Sequence, residues 1–485
     1  MKELNPDLSN LAELFRNELR EDDIAAAQTA FLKELSFKMH HYYSGKMQSI
    51  PKAGIFGFNW FNVWYTPGVS KISTEIRDDN QLSFDLSNRG NLVAVVSDGS
   101  RVLGDGDCTP AGGLGVMEGK AMLMKYLGAC DAIALCVDNR DSDGKPNAQK
   151  LIDFVKMLQP SVGAVNLEDI SQPNCYRVLD ELRESCQIPV WHDDAQGTAC
   201  VTLAGVINAL KLTGREIQSS KAVLYGCGAS NSTIADFLLQ EGLDPQNMII
   251  FDSKGGLHKN RRDIKENPGK YKQWALAQKT NPKMINSITE AMKDADILIA
   301  LSTPGPDTIK AEWIQLMAKD SIVFACANPI PEIYPHQALK AGAGIVATGR
   351  GDFPNQVNNS VGFPGILKGV LLVRARKISD GMAITAAHSL ARFAQNRGID
   401  RQNIIPRMDE MEVFAHVAAD VGAQAIKEGL AAITMSREEI YRKAYDEIIH
   451  SRQLCHTLMD QSLISPAPQK LIQEVFEACL KKFKN

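Results

Sequence analysis

The chain has no Cys-x-x-Cys pair, no apolar run long enough to cross a bilayer, no low-complexity tract and no marked excess of charge. Each absence removes a class of function. The 10 cysteines are scattered singly from Cys108 to Cys479, which argues against a structural zinc site or a redox dithiol. Several, such as Cys136 in IALCVD and Cys326 in VFACAN, sit in apolar runs as small buried hydrophobes. That usage suits a reducing compartment. The opening MKELNPDLSNLAELF is too polar and acidic for a signal or transit peptide. The expectation is a cytoplasmic protein without membrane contact. A net charge of -4 leaves no electrostatic footprint for nucleic acid. With 44% hydrophobic and 23% charged residues, the composition is that of a soluble globular protein with a large core. At 485 residues it exceeds one ordinary domain.

Two acidic pairs stand out against that background: Glu168-Asp169 in VNLEDI and Asp193-Asp194 in IPVWHDDAQGTA. Each closes an apolar, β-prone run, which places carboxylates at strand ends, where an α/β sheet opens toward its ligand crevice. Charges at the mouth of a buried strand are costly unless paired or bound to a cation. Hard divalent ions such as Mg2+ and Mn2+ take such oxygen ligands and keep places for water or substrate. One acidic pair alone reads as a surface turn; two, each on a strand end, point to a metal.

The chain begins with two helical stripes, Leu11, Leu14, Phe15 and Leu19, then Ile24, Ala27, Phe31, Leu32, Leu35 and Met39, ending before Ser44-Gly45. They offer core or subunit-contact faces. After the aromatic-rich FGFNWFNVWYTPGV come a strand (LVAVVSD), a Gly-rich region from Gly99 to Gly119, a helix (KAMLMKYLG) and a strand (AIALCVD), which make a βαβ-like unit. The pattern resets at Lys221. KAVLYG, MIIFD, ADILIALS, SIVFACA and GIVATG are near-continuous apolar strands, the first two joined by the helix STIADFLLQEG. Such strands predict a parallel, doubly wound sheet. After about Phe363 the pattern is helical to the end. The expected class is α/β: a helical N-terminal segment, a metal and substrate α/β domain, a Rossmann-like doubly wound dinucleotide-binding domain, and a helical C-terminal part. The expected divisions are 1–193 for substrate and metal, completed by 360–485; 194–359 for NAD(P); and 360–485 as the mostly helical part.

Gly226-Cys227-Gly228-Ala229-Ser230-Asn231 follows a strand and opens a helix. In that setting G-x-G gives a tight turn, close approach of a pyrophosphate to backbone, and phosphate on the helix N-terminus. Asn231 stands in place of the third glycine, which weakens the match and puts tight helix–strand packing in question. Asp252 ends the next strand, where a ribose-binding acid belongs, and tilts the choice toward NAD. Lys254, two residues on, is a cation able to meet a 2′-phosphate, so NADP stays open. Tyr65 in WYTPGV and Lys120 in MEGKA are potential proton carriers. Arg101 in DGSRVLGDGD is a potential carboxylate clamp. Asn328 in ANP and Asn358-Asn359 in QVNNSVGFPG are amides near strand ends.

With these pieces assembled, the sequence resembles the malic enzymes. WYTPGV, VSDGSRVLGDGD, VMEGKAMLMKY, NLEDI, PVWHDDAQGTA, GCGASN, DSKGGL, LSTPGP, ANPIPEI and VATGRGDFPNQVNNSVGFPG occur in that family's order, from Trp64 to about Gly369. The resemblance implies oxidative decarboxylation of L-malate to pyruvate and carbon dioxide, with NAD or NADP and Mn2+ or Mg2+. It implies Glu168, Asp169 and Asp194 as metal ligands, Lys120 as the base for the C2 hydroxyl, Tyr65 as the acid for C3, and Asp193 as support for the lysine. Arg101, Asn328 and Asn359 would bind malate. Gly226, Gly228, Ala229, Ser230, Asn231, Asp252 and Asn328 would line the cofactor.

Two further departures from the family pattern stand out. Asp105 occupies a usually apolar place, and DNRDSDGKPN reads as a polar loop. A malolactic-type enzyme, an amino-acid dehydrogenase and a non-catalytic nucleotide-binding protein are the competing readings. A homodimer or homotetramer is expected from the size of the chain and its amphipathic N-terminal helices.

Overall fold

Ten short strands among the described residues carry the larger part of the molecule, and most are buried apolar runs. The computed structural model describes residues 3–484, the side chain of Asp22 excepted. The chain divides into two compact units, Ser49–His450 and a smaller one that joins Met1–Gln48 to Ser451–Asn485.

In the larger unit β1 (Leu92–Ser97), β2 (Asp131–Cys136), β3 (Ala164–Leu167) and β4 (Val190–His192) form a four-stranded sheet in the order β2-β1-β3-β4. All its pairings are parallel. The second sheet contains β5 (Ala222–Tyr225), β6 (Met248–Asp252), β7 (Gly255–Gly256), β8 (Ile297–Ala300), β9 (Ile322–Ala325) and β10 (Ile345–Thr348), in the order β10-β9-β8-β5-β6-β7. It is parallel except for β7, which turns back on β6. The strand order reverses at β5, and such a switch opens a crevice at the carboxyl ends of the strands. Strands covered on both faces read as unbroken apolar runs, and β3, β8, β9 and β10 are buried at every residue.

The helices Thr198–Thr213, Phe363–Leu372, Asp380–Arg397 and Glu412–Lys427 share one hydrophobic core with both sheets. Every residue of Phe363–Leu372 is buried. A Cβ on Gly369 would stand 2.4 Å from the carbonyl oxygen of Ala418, so this helix meets its neighbour backbone to backbone. The mixed architecture with parallel sheets and helical ends is the α/β class expected.

The smaller unit is helical. Leu11–Glu18, Glu21–Tyr43 and Gln469–Lys484 bury Phe15, Phe31 and Phe476 against one another, with ring centroids 5.3–6.3 Å apart. The predicted stripes are buried at Leu11, Leu14, Phe15, Ala27, Phe31 and Leu35, whereas Leu32 is 47% exposed. Helix Glu21–Tyr43 ends at Ser44, which adopts the left-handed conformation. Among the described residues, no helix is long and apolar enough to cross a membrane.

Candidate active site

β3 lies between β1 and β4, and Leu167 is in register with His192. The residues that follow these two partners, Glu168-Asp169 and Asp193-Asp194, therefore emerge side by side. Glu168, Asp169 and Asp194 each offer one carboxylate oxygen within 4.8 Å of the others, the one such cluster among the described residues. Asp169 adopts φ 54°. Its Oδ1 accepts from the Leu103 N–H at 3.1 Å and its carbonyl from the Arg101 N–H at 3.0 Å, which ties the 99–108 loop to the cluster. Its Oδ2 is buried without a hydrogen-bond partner. Asp194 Oδ2 accepts from the Asp169 N–H at 2.8 Å, and Glu168 Oε2 from Asn166 Nδ2 at 2.9 Å.

Burial pushes the Glu168 carboxyl well above its usual range; Lys120 opposes the shift, and Asp194 and Asp193 add to it. Burial, then the charge of Asp194, pushes Asp169 up to about 7. Three crowded carboxyls, two of them buried and one with an unpartnered oxygen, fit a hard divalent cation, which relieves the strain that raises Glu168 and Asp169. By contrast Asp98, fully buried at the end of β1, has its oxygens taken by Ser100 and Asn139 and stands outside the cluster.

Lys120 projects from helix Leu114–Gly128 into this cluster. Its Nζ lies 2.5 Å from Asp193 Oδ2, 3.2 Å from Glu168 Oε1 and 3.3 Å from Asn359 Oδ1, over the ring of Phe363. Burial pulls the Lys120 ammonium down, but Asp193, Glu168 and Asp194 together outweigh it and hold it above the usual lysine range. Asp193 is fixed in turn: Trp191 Nε1 donates to its Oδ1 at 3.0 Å. Gly197 leaves room for that oxygen, since a Cβ there would stand 2.0 Å from it. Trp191, Asn166 and Phe363 had no assigned role, because nothing in their motifs says that they meet Asp193, Glu168 and Lys120.

The structure does not bring every expected residue into this cluster. Arg101 is exposed and approaches through its loop. Asn328 follows β9, with its carbonyl packed against Gly104 of that same loop. Asp105 is exposed there as well. Tyr65 is 71% exposed, on a segment where Phe56 and Phe58 are also bare. The polar 139–147 loop is ordered: Arg140 forms a two-pronged ion pair with Asp107, and Asn147 caps helix Ala148–Leu158.

β5 runs into the Gly226–Asn231 turn as expected. Gly226 has φ 96°, and a Cβ there would stand 2.3 Å from the Leu301 carbonyl oxygen. Gly228 caps helix Ala229–Gln240. Asn231 is fully buried, and its amide donates to the carbonyls of Tyr225 (3.2 Å), Gly226 (2.9 Å) and Ile299 (3.4 Å). Helix and sheet are thus tied by the residue that stands in place of the third glycine. Ser230 Oγ donates to the Asp194 carbonyl at 2.8 Å. Asp252 ends β6 and is held by Arg261, a residue the sequence reading passed over.

The malic enzyme N-terminal domain model matches residues 58–183, and the malic enzyme NAD-binding domain model matches residues 195–426. The crystal structure of Entamoeba histolytica malic enzyme is similar with a TM-score of 0.98 at 54% identity, covering 100% of each chain. A bifunctional malic/malolactic enzyme of Bacillus subtilis is 39% identical over 417 residues, 85% of this chain and 97% of its own length. An NAD-dependent malic enzyme of Geobacillus stearothermophilus is 39% identical over 402 residues, 82% and 80% respectively. Two family models that span most of the chain, set beside a carboxylate cluster and a dinucleotide turn one helix apart, leave a single assignment: the chain belongs to the malic enzyme family.

Proposed function

We propose that the chain oxidatively decarboxylates L-malate to pyruvate and carbon dioxide, with reduction of NAD or NADP and with Mn2+ or Mg2+. The observation that carries this is Lys120 Nζ, 2.5 Å from Asp193 and 3.2 Å from Glu168, on the rim of the carboxylate cluster. Glu168, Asp169 and Asp194 hold the cation. When bound, the cation polarises the C2 oxygen and the nicotinamide accepts the hydride. Lys120 takes the C2 hydroxyl proton. A cation held by Glu168 and Asp194 would offset two of the three charges that hold Lys120 above its usual range, and Asp193 would remain to orient it. Tyr65 returns a proton to C3. Arg101, Asn328 and Asn359 bind malate, and the turn from Gly226 through Ala229 and Ser230, with Asp252 and Asn328, lines the dinucleotide. In this reading residues 194–359 hold the cofactor, and residues 1–193, completed by 360–485, hold malate and metal.

The test is the appearance of reduced nicotinamide on adding malate and Mn2+, in parallel with each cofactor; no reduction with either sinks the reading. One relative is named a bifunctional malic/malolactic enzyme, which favours a second reading, malate to lactate with the cofactor retained. Lactate formed without net reduced cofactor is its signature.

Ten unpaired cysteines support a reducing location, the cytoplasm. A homodimer or homotetramer is supported by Phe56, Phe58, Phe61, Val63 and Trp64, which are 46–89% exposed on one segment, since monomers rarely leave such aromatic stretches bare. Tyr65 lies on that segment, so a purely monomeric enzyme in sedimentation would count against both roles.

A further inference from the structure

The acid that ends β6 is already engaged. Arg261 donates from Nη1 to Asp252 Oδ1 at 3.1 Å and from Nη2 to Oδ2 at 2.8 Å. The Lys254 N–H takes another place on Oδ1 at 2.9 Å. On its other edge Arg261 reaches Asp263, Nε to Oδ1 at 2.8 Å and Nη2 to Oδ2 at 3.0 Å. Its Nη1 also lies 3.2 Å from the Gly256 carbonyl. Lys270 Nζ stands 3.9 Å from Asp252 Oδ2, and Lys254 Nζ 3.5 Å from Asp263 Oδ2. The Arg261 and Asp252 side chains are only 11% and 14% exposed, so water and salt screen the pair less than a surface pair.

An acid at this strand end favours NAD in two ways: it accepts from the ribose hydroxyls, and it repels a 2′-phosphate. Both abilities are curtailed here. Oδ1 already accepts three hydrogen bonds, so the two-oxygen grip on the ribose is unavailable while Arg261 stays in place. The charges no longer oppose a phosphate either, because Arg261, Lys254 and Lys270 outnumber Asp252 and Asp263. A guanidinium in this position also has the geometry to meet phosphate oxygens.

We infer that Arg261 cancels Asp252 as a selector for NAD, so that the site admits a 2′-phosphate and takes NADP alongside NAD. The inference rests on the dinucleotide reading of this half of the chain. It makes Arg261 a specificity-determining residue and Asp263 the residue that positions it.

The test is fluorescence titration of NADH and NADPH against the full chain, without malate or metal, so that binding is read apart from turnover. The expected wild-type affinities lie within about tenfold of each other, and Arg261→Gln weakens NADPH by about tenfold or more while NADH changes little, the loss of one charge-assisted contact. Arg261→Lys, which keeps the charge, retains NADPH binding. Asp252→Asn, which removes an acid already engaged by Arg261, changes NADH little and tightens NADPH by removing a negative charge. Equal weakening of both cofactors by Arg261→Gln overturns the inference, as does a wild-type protein that binds NADH but not NADPH. If neither nucleotide binds the wild type, the dinucleotide reading itself falls, and the inference with it.

Discussion

The Ser230 hydroxyl donates to the carbonyl of Asp194 at 2.8 Å, so the Gly226–Asn231 turn is fastened to the carboxylate cluster. Such a bond is worth about 1 kcal/mol net, which corresponds to roughly fivefold in rate if it serves alignment. Ser230→Ala should lower kcat by about that factor, with Mn2+ affinity nearly unchanged. A variant with wild-type kcat would mean the fastening is incidental.

Asp194→Ala should abolish turnover and leave cofactor binding nearly intact. Outer-sphere supports of a metal typically contribute about 10–100-fold, so loss of a ligand should exceed that. Mn2+ binding followed by electron paramagnetic resonance, beside NADH fluorescence, separates the two functions. If NADH affinity collapses while Mn2+ still binds, the ligand assignment is wrong.

Lys120→Ala should lose hydride transfer itself, by about 10²–10⁴-fold, the usual worth of a positioned base. Single-turnover reduction of the cofactor reads this step directly. Reduction at the normal rate would remove Lys120 from the proton path.

Metal binding should tighten as pH rises through about 7, because Asp169 must lose its proton to act as a ligand. The metal-free protein should show the opposite trend in stability from this residue. Its folded carboxyl, raised to about 7, stays neutral while the unfolded one ionises. The contribution of Asp169 is thus full below the unfolded value and is lost as pH rises toward 7. Melting curves with and without Mn2+ across that window should diverge with increasing pH. Curves that run parallel would show that Asp169 does not titrate there.

Trp191→Phe removes the donor to Asp193 Oδ1, a group buried at 0% exposure. An unsatisfied buried acceptor costs about 1–3 kcal/mol, and denaturant unfolding should register it. Unchanged stability would mean that water replaces the indole N–H.

The parts of the site that could be read in advance are those attached to strand ends. Acids that close apolar runs fall where parallel strands open, so Glu168, Asp169, Asp193 and Asp194 were placed by pattern alone. Asn231 shows the opposite case. Judged as a defective glycine, it supplies three hydrogen bonds to the sheet that no motif describes. Arg261 was equally hidden. It reaches Asp252 because β7 doubles back, and a two-residue strand leaves no periodic trace. Tyr65 was marked by its motif, but the motif does not report that the side chain stands 71% exposed. The union of Leu11–Glu18 and Glu21–Tyr43 with Gln469–Lys484 links residues hundreds of positions apart, which local patterning does not report.

Asp169 divides its two oxygens between tasks: Oδ1 keeps the Leu103 N–H, and Oδ2 has no hydrogen-bond partner. One oxygen can therefore offer itself to an ion while the other keeps its brace on the 99–108 loop. Chelation and refilling should proceed at the speed of ligand exchange, without a slower refolding phase.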